Sequence, residues 1–360
     1  MSLFLRTDAE VSARLDRLSQ AAEIALDTEF HPERTYFPRP LLIQLRPDSG
    51  EAMLVDATTV SDLRPLARML CERPILVHGG AADIGIVQRL AGRAPAVVFD
   101  TQVVAGFVGL GFPRALRDLS ASVLGKTMDK GATLTDWTRR PLSPEQLRYA
   151  AEDVLVLGPI ASALRERLAL SPWTAAANAC MDETVARWTA PPDDLSAWKR
   201  MHSHHLSDEE RGALRALAAW RENAARTADV PTHTVAADAI LQDLARRRPR
   251  NLDQLRDNRR MPTGVWKTHG EAILSVLAKV GAAGEPPRTR LGLEGDLGRL
   301  AARVAEAHSG VSAELVFADC EIDYILSEKD PASWRASVLG PEWRDFVDGR
   351  RSIAMPGRWT

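Results

Sequence analysis

The sequence predicts an α/β domain on a mixed sheet, followed by all-helical modules. Three observations carry this prediction. The first half alternates apolar and polar residues with the period of strands, interleaved with helix-period stretches. A long helix opens at Ser143, and beyond Leu157 the pattern is almost entirely helical. Breaks rich in Pro, Gly and Asp at 190–194 (APPDD) and 281–287 (GAAGEPP) divide that helical half.

Taken in order, residues 23–30 (EIALDTEF) set Ile24, Leu26, Thr28 and Phe30 against Ala25, Asp27 and Glu29. Short apolar runs at 41–45 and 52–55 flank Pro47-Asp48-Ser49-Gly50, a turn sequence. Three strands joined without room for helices imply a mostly antiparallel meander. A helix over 61–71, a strand over 75–78, a helix over 81–91 and a strand over 96–99 follow, which puts helices on the faces of a mixed sheet. At the long helix Ser143 is an N-cap, Pro144 suits the first helical position and Gln146 completes a capping box. Ser207-Asp208-Glu209-Glu210 is a second capping box, opening a helix rich in Ala, Leu and Arg. The expected division is an α/β domain over 1–170, a helical connector over 171–206, a compact helical module over 207–285 and a second, diverged one over 290–360.

Composition bounds the function. The 360 residues are 45% hydrophobic, which excludes wholesale disorder. No run of about 18 apolar residues offers a membrane span, and the acidic, weakly apolar start does not read as a secretory signal. Cys71, Cys180 and Cys320 are odd in number and far apart, so neither a disulfide framework nor a zinc knuckle is expected. A cytoplasmic protein, monomeric by default, is the expectation. The 46 basic and 48 acidic residues nearly cancel, but they are zoned. Residues 207–290 hold 15 basic against 11 acidic, residues 291–360 hold 8 against 12, and 245–260 (ARRRPRNLDQLRDNRR) carries seven arginines. An Arg-rich stretch on a separate helical module, with Arg246, Arg247, Arg248 and Arg250 at its centre, suits a phosphate backbone as well as it suits a solvated helix face.

The chemistry sits in the acids. Residues two apart on a strand share a face, so Asp27 and Glu29 point the same way. Two such carboxylates repel unless a cation lies between them, and hard divalent cations take carboxylate oxygen. The apolar flanks of IALDTEF place this strand inside a sheet, where solvated acids are not expected. Tyr149 and Asp153 are four apart on the long helix and lie one above the other. Asp83 falls in the first turn of a helix, after a strand ending at His78 and a Gly79-Gly80 turn; His78 there reads as a structural hydrogen-bonder. Four carboxylates and a tyrosine at the ends of elements that one sheet could gather suit two-metal phosphodiester chemistry.

These stretches resemble the ribonuclease D family, in the tyrosine-containing (DEDDy) branch of the DEDD exonucleases. The resemblance rests on IALDTEF at 24–30, ERTYFPRPLLIQL at 33–45, HGGAADIGIVQRL at 78–90, FDTQVVAGF at 99–107 and MDKGATLTDWTRRPLSPEQLRYAAEDVLVL at 128–157. It implies a ribonuclease-H-like (DnaQ-like) fold and 3′→5′ hydrolysis releasing 5′-mononucleotides. Asp27 and Glu29 match the first motif, Asp83 the second, and Tyr149 and Asp153 the third. By the resemblance Asp27, Glu29 and Asp153 hold one of two divalent ions (Mg2+ or Mn2+), Asp27 bridges to the second, Asp83 reaches that second ion and Tyr149 positions the water. Arg34, Tyr36, Lys130, Trp137 and Arg139 fall in matching motifs as contacts to the RNA 3′ end, while Gly131 departs from the family's usual serine. Residues 207–280 resemble an HRDC module, and 311–326 with 339–347 resemble a second one, whose net acidity suggests packing against the rest of the protein.

The implied partner is RNA, with tRNA precursors foremost. A DNA-directed exonuclease of the same superfamily is the alternative, since metals contact phosphates common to both polymers. A non-catalytic RNA-binding scaffold fits less well, because a binding module has no need of clustered acids facing a polyanion. His202, His204 and His205 lack the cysteine or acid pattern that would complete a metal site and read as an exposed linker.

Overall fold

The computed structural model describes residues 2–31, 34–128, 135–201, 203, 205–257, 261–280, 306, 309–316 and 333–339. They form two compact units: 1–30 with 40–190 and 291–360, and 31–39 with 191–290.

The first unit is built on a six-stranded sheet of order β1-β4-β3-β2-β5-β6. Its strands are β1 (Ser2–Leu5), β2 (Ile24–His31), β3 (Arg39–Pro47), β4 (Ala52–Asp56), β5 (Pro74–Val77) and β6 (Val97–Asp100). β3 and β4 pair antiparallel across the turn that follows Pro47, with Leu45 opposite Met53 and Leu42 opposite Asp56. β1 joins β4 in parallel, and β5 runs parallel to both β2 and β6. The sheet is therefore mixed. β2 is interior, with β3 on one side and β5 on the other.

Alternation along the strands separates the two faces. Ile24, Leu26, Ile75 and Val77 pack under α1 (Asp8–Ser19), α2 (Arg64–Leu70) and α3 (Ala81–Ala91). Ala25, Leu42, Leu54 and Leu76 pack on the opposite face against Ala150, Val154, Leu157 and Ala161 of the long helix. After α4 (Thr101–Phe107) and α5 (Leu116–Leu124), that helix, α6 (Pro144–Ala169), begins at the Ser143–Gln146 capping box.

β1, α1, α4 and α5 are elements that the sequence patterns did not single out. β1 and α4 are only four and seven residues long, too short for periodicity to register. α7 (Thr174–Thr189), expected within a connector, is a core helix of the first unit: Ala177, Cys180 and Met181 pack beside Phe107 and Leu164. The described parts of the C-terminal stretch join the same cluster through Val311, Leu315, Trp334 and Val338. Gly106 permits this approach, since a Cβ there would stand 2.8 Å from Leu315 Cδ2. Arg335 donates both terminal nitrogens to Glu183, at 2.7 and 2.9 Å.

The second unit is helical: a 3-10 turn (Asp194–Arg200), then α8 (Asp208–Ala228), α9 (Thr232–Val235), α10 (Asp238–Arg247), α11 (Leu252–Arg256) and α12 (Thr263–Val280). Its core gathers Leu214, Leu217, Leu241, Leu244, Leu255 and Ile273. Among the described residues no helix is long and apolar enough to cross a membrane.

Candidate active site

The alternation that sorts the core also sorts the acids. Ala25 faces α6, so Asp27 and Glu29 emerge on the α6 side of β2, while Thr28 points with Leu26 towards α3. α6 delivers Asp153 to the same place. One carboxylate oxygen from each of Asp27, Glu29 and Asp153 lies within 4.8 Å of the other two. Asp83, in the first turn of α3, accepts a 2.5 Å hydrogen bond from the Thr28 hydroxyl. Thr28 thus ties the second acidic motif to the strand that carries the first.

The electrostatics follow from the packing. Asp83 and Asp153 are each 7% exposed, and Asp27 and Glu29 are partly buried. Burial, compounded by Asp83, Asp153 and Glu29, pushes the Asp27 carboxyl well above its ordinary range. Burial and the neighbouring Asp153 and Asp83 push Glu29 up to about 8. Burial raises Asp153 to about 7, against a lowering hydrogen bond from Tyr149, and Asp83 to about 6, against the bond from Thr28. Four carboxylates that resist ionising side by side form a donor set awaiting positive charge. All-oxygen, anionic and convergent, it fits hard divalent cations.

Tyr149 lies one turn before Asp153 on α6, near enough to lower that carboxyl against the rise that burial causes. The Tyr149 ring stands 6.2 Å from that of Trp137. Trp137 itself is 5% exposed and packs with Leu142, Ala150 and Ala151, so its indole faces the core and touches the site through Tyr149. An aromatic in a polar loop motif carries no sign of which way it turns, and here the ring turns inward.

The remaining residues singled out in the sequence are dispersed. Arg139 is exposed and pairs with Asp136 at 3.3 Å. Lys130 lies outside the described residues, as do Gly131, His202 and His204. Arg34 is exposed, and it and Tyr36 belong to the second unit, where the Tyr36 hydroxyl donates to Glu222 at 3.0 Å. Of the arginine cluster, Arg247, itself exposed, pairs with Asp243 at 2.9 Å and Arg248 with Glu209 at 3.4 Å, whereas the exposed Arg246 and Arg250 enter no ion pair among the described residues.

Two features had little or no sequence signal. Thr28 carries no local sign of its role, because its partner Asp83 is 55 residues away. Asp100 is buried behind the turn that leads to Asp83, accepting the amides of Gly79 and Gly80 at 3.0 and 3.4 Å. His78 braces the same turn: Nε2 donates to the Arg114 carbonyl at 2.7 Å, and Nδ1 pairs with the Thr101 hydroxyl at 2.8 Å.

Comparison with known proteins agrees with this layout. Residues 4–169 match the 3′-5′ exonuclease family, and residues 210–277 match the HRDC domain. A ribonuclease D of Gluconacetobacter diazotrophicus is 32% identical over 99% of this chain and 95% of its own length. One from Sphingobium indicum is 31% identical over 98% and 96%. The crystal structure of Escherichia coli RNase D, described as an exoribonuclease involved in structured RNA processing, superimposes with a TM-score of 0.80. It is 24% identical and covers 98% of this chain and all of its own, so the two share a fold.

Proposed function

The chain belongs to the ribonuclease D family of 3′→5′ exoribonucleases, and from that premise we propose that Asp27, Glu29, Asp83 and Asp153 hold two divalent cations for stepwise hydrolysis of RNA. The observation that carries this reading is the convergence of Asp27, Glu29 and Asp153 oxygens within 4.8 Å. Asp83, fixed by Thr28 and close enough to raise the pKa of Asp27 and Glu29, completes the set on the α3 side. Bound there, Mg2+ or Mn2+ would activate a water and offset charge on the leaving oxygen. The protein's own part is to set the geometry. Tyr149, which stands one turn from Asp153 and lowers its carboxyl, is the group that would orient the attacking water.

The substrates proposed are 3′-extended structured RNAs, tRNA precursors foremost, which place the enzyme in the cytoplasm. Arg246 and Arg250 of the HRDC module serve the RNA backbone, because they are exposed and, among the described residues, enter no ion pair. Incubation of the purified chain with 3′-extended tRNA and with single-stranded DNA, in Mg2+, Mn2+ or EDTA, tests the reading. Stepwise, metal-dependent shortening of the RNA is expected. Shortening of DNA alone would move the enzyme to the DNA-directed branch, and binding without shortening would leave a scaffold.

A further inference from the structure

Arg140 makes more of its side chain than any other arginine near the site. A guanidinium carries five N–H donors, and here all five are satisfied. Nε donates to Asp56 Oδ2 at 2.6 Å and Nη2 to Asp56 Oδ1 at 2.7 Å, the two-pronged arrangement. Nη2 also reaches the Leu41 carbonyl at 3.0 Å, and Nη1 reaches the carbonyls of Trp137 and Arg139 at 2.8 and 2.9 Å. Asp56 closes β4 and is 1% exposed, and Leu41 lies on β3, so the anchor is the sheet itself. What is anchored is the loop before α6. The side-chain amide of Gln146 holds the same loop through Thr135 Oγ1 at 3.2 Å.

The clamped residue, Trp137, packs its ring at 45° against Tyr149, with centroids 6.2 Å apart. Aromatic pairs at this spacing attract specifically and restrict each other's rotation. A phenol in the second turn of a helix otherwise sweeps an arc; with Trp137 packed against it, the Tyr149 ring is held beside Asp153, one turn further along the same helix. We propose that Asp56, Arg140 and Trp137 are positioning residues that fix the Tyr149 hydroxyl for catalysis, so that an ion pair buried at the end of β4 sets the turnover rate through one aromatic contact. The inference rests on the reading of Tyr149 as the group that orients the water.

The full-length chain, assayed on a 3′-extended RNA with Mn2+, tests it in a double-mutant cycle. Tyr149→Phe should lower kcat about 100-fold with KM little changed, as loss of a positioned proton-bearing group does. Trp137→Ala and Arg140→Gln should each lower kcat about tenfold with KM within about twofold, as a displaced catalytic group requires. Trp137→Phe, which keeps a ring in the slot, should stay within about threefold of the parent. In the Tyr149→Phe background, Trp137→Ala and Arg140→Gln should cost less than a further factor of about two, because their effect runs through the missing hydroxyl. Multiplicative losses in that background would overturn the proposal, as would a rise in KM with kcat intact, which would make Trp137 a substrate contact. Should Arg140→Gln fail to fold, the Trp137→Phe and Trp137→Ala pair carries the test. Wild-type activity in Tyr149→Phe would overturn the reading of Tyr149 itself, a result separable from failure of the cycle.

Discussion

Two charge clusters stand out in this chain, and folding uses them in opposite ways. In the first unit Asp27, Glu29, Asp83 and Asp153 are drawn from three elements into a partly or largely buried set, with no cation from the protein among the causes that shift them. In the second unit, arginines of the 245–260 stretch stand at the end of α10, where Asp243 and Glu209 already hold two of them. Among the described residues Arg246 and Arg250 enter no ion pair and are exposed. The lesson concerns environment. Like charges brought together out of water must be protonated or joined by a cation. Exposed charges are screened and add up softly along a polyanion.

The comparison breaks first at the acids. Asp27→Asn and Asp153→Asn preserve volume but remove ligand charge, and each should lower kcat by about 1000-fold or more, the several kcal/mol that metal catalysis supplies. Circular dichroism should show an intact fold; near-normal turnover in either variant would dissolve the contrast.

A second prediction concerns pH. Glu29 at about 8, Asp153 at about 7 and Asp83 at about 6 all lie above the ordinary carboxylate values, near 4 in an unfolded chain. The folded, metal-free state therefore binds more protons than the unfolded state between those limits. Its stability is greatest below about pH 4 from these groups and falls as pH rises through 6 to 8. Thermal unfolding in EDTA should show a declining Tm over that window, and the gain in Tm from added Mn2+ should be larger at pH 8 than at pH 5. A Tm in EDTA that climbs from pH 6 to 8, with a Mn2+ gain that shrinks, would contradict the placement of these acids.

The arginines should respond more gently. Arg246→Ala with Arg250→Ala should weaken RNA binding several-fold at low salt and flatten the log–log salt slope by about 1.4, two contacts at about 0.7 each on a single strand. An unchanged slope, read by filter binding or fluorescence anisotropy, would make this corner a solvated surface. The smallest effect is expected from Arg247→Ala with Arg248→Ala. Their partners Asp243 and Glu209 make them module residues first, so RNA affinity should move by less than about twofold, with a small loss of stability in which the buried Asp243 carboxylate has the larger share.

Much of the site was legible because its local geometry is encoded in short windows. The two-residue spacing of Asp27 and Glu29 and the four-residue spacing of Tyr149 and Asp153 specify a shared face before any tertiary contact forms. The capping boxes at Ser143 and Ser207 are equally local, and both are formed. The apolar flanks of β2 pointed to an interior strand, which it is. By contrast, the pairing of β1 with β4 in parallel, the joining of C-terminal segments to the core around Phe107 and the inward turn of Trp137 left no periodic trace. Each depends on a partner far along the chain.

By itself, then, the sequence determined which residues can do chemistry and which neighbours share their face, since backbone geometry repeats every two or every 3.6 residues. Only the tertiary structure decided which of them meet. Thr28 finds Asp83 across 55 residues and Arg140 finds Asp56 across 84, and in both cases the partner is chosen by how helices lie on the sheet. The same packing removes water from the acids, and burial is what turns a set of ordinary carboxylates into a site built for cations.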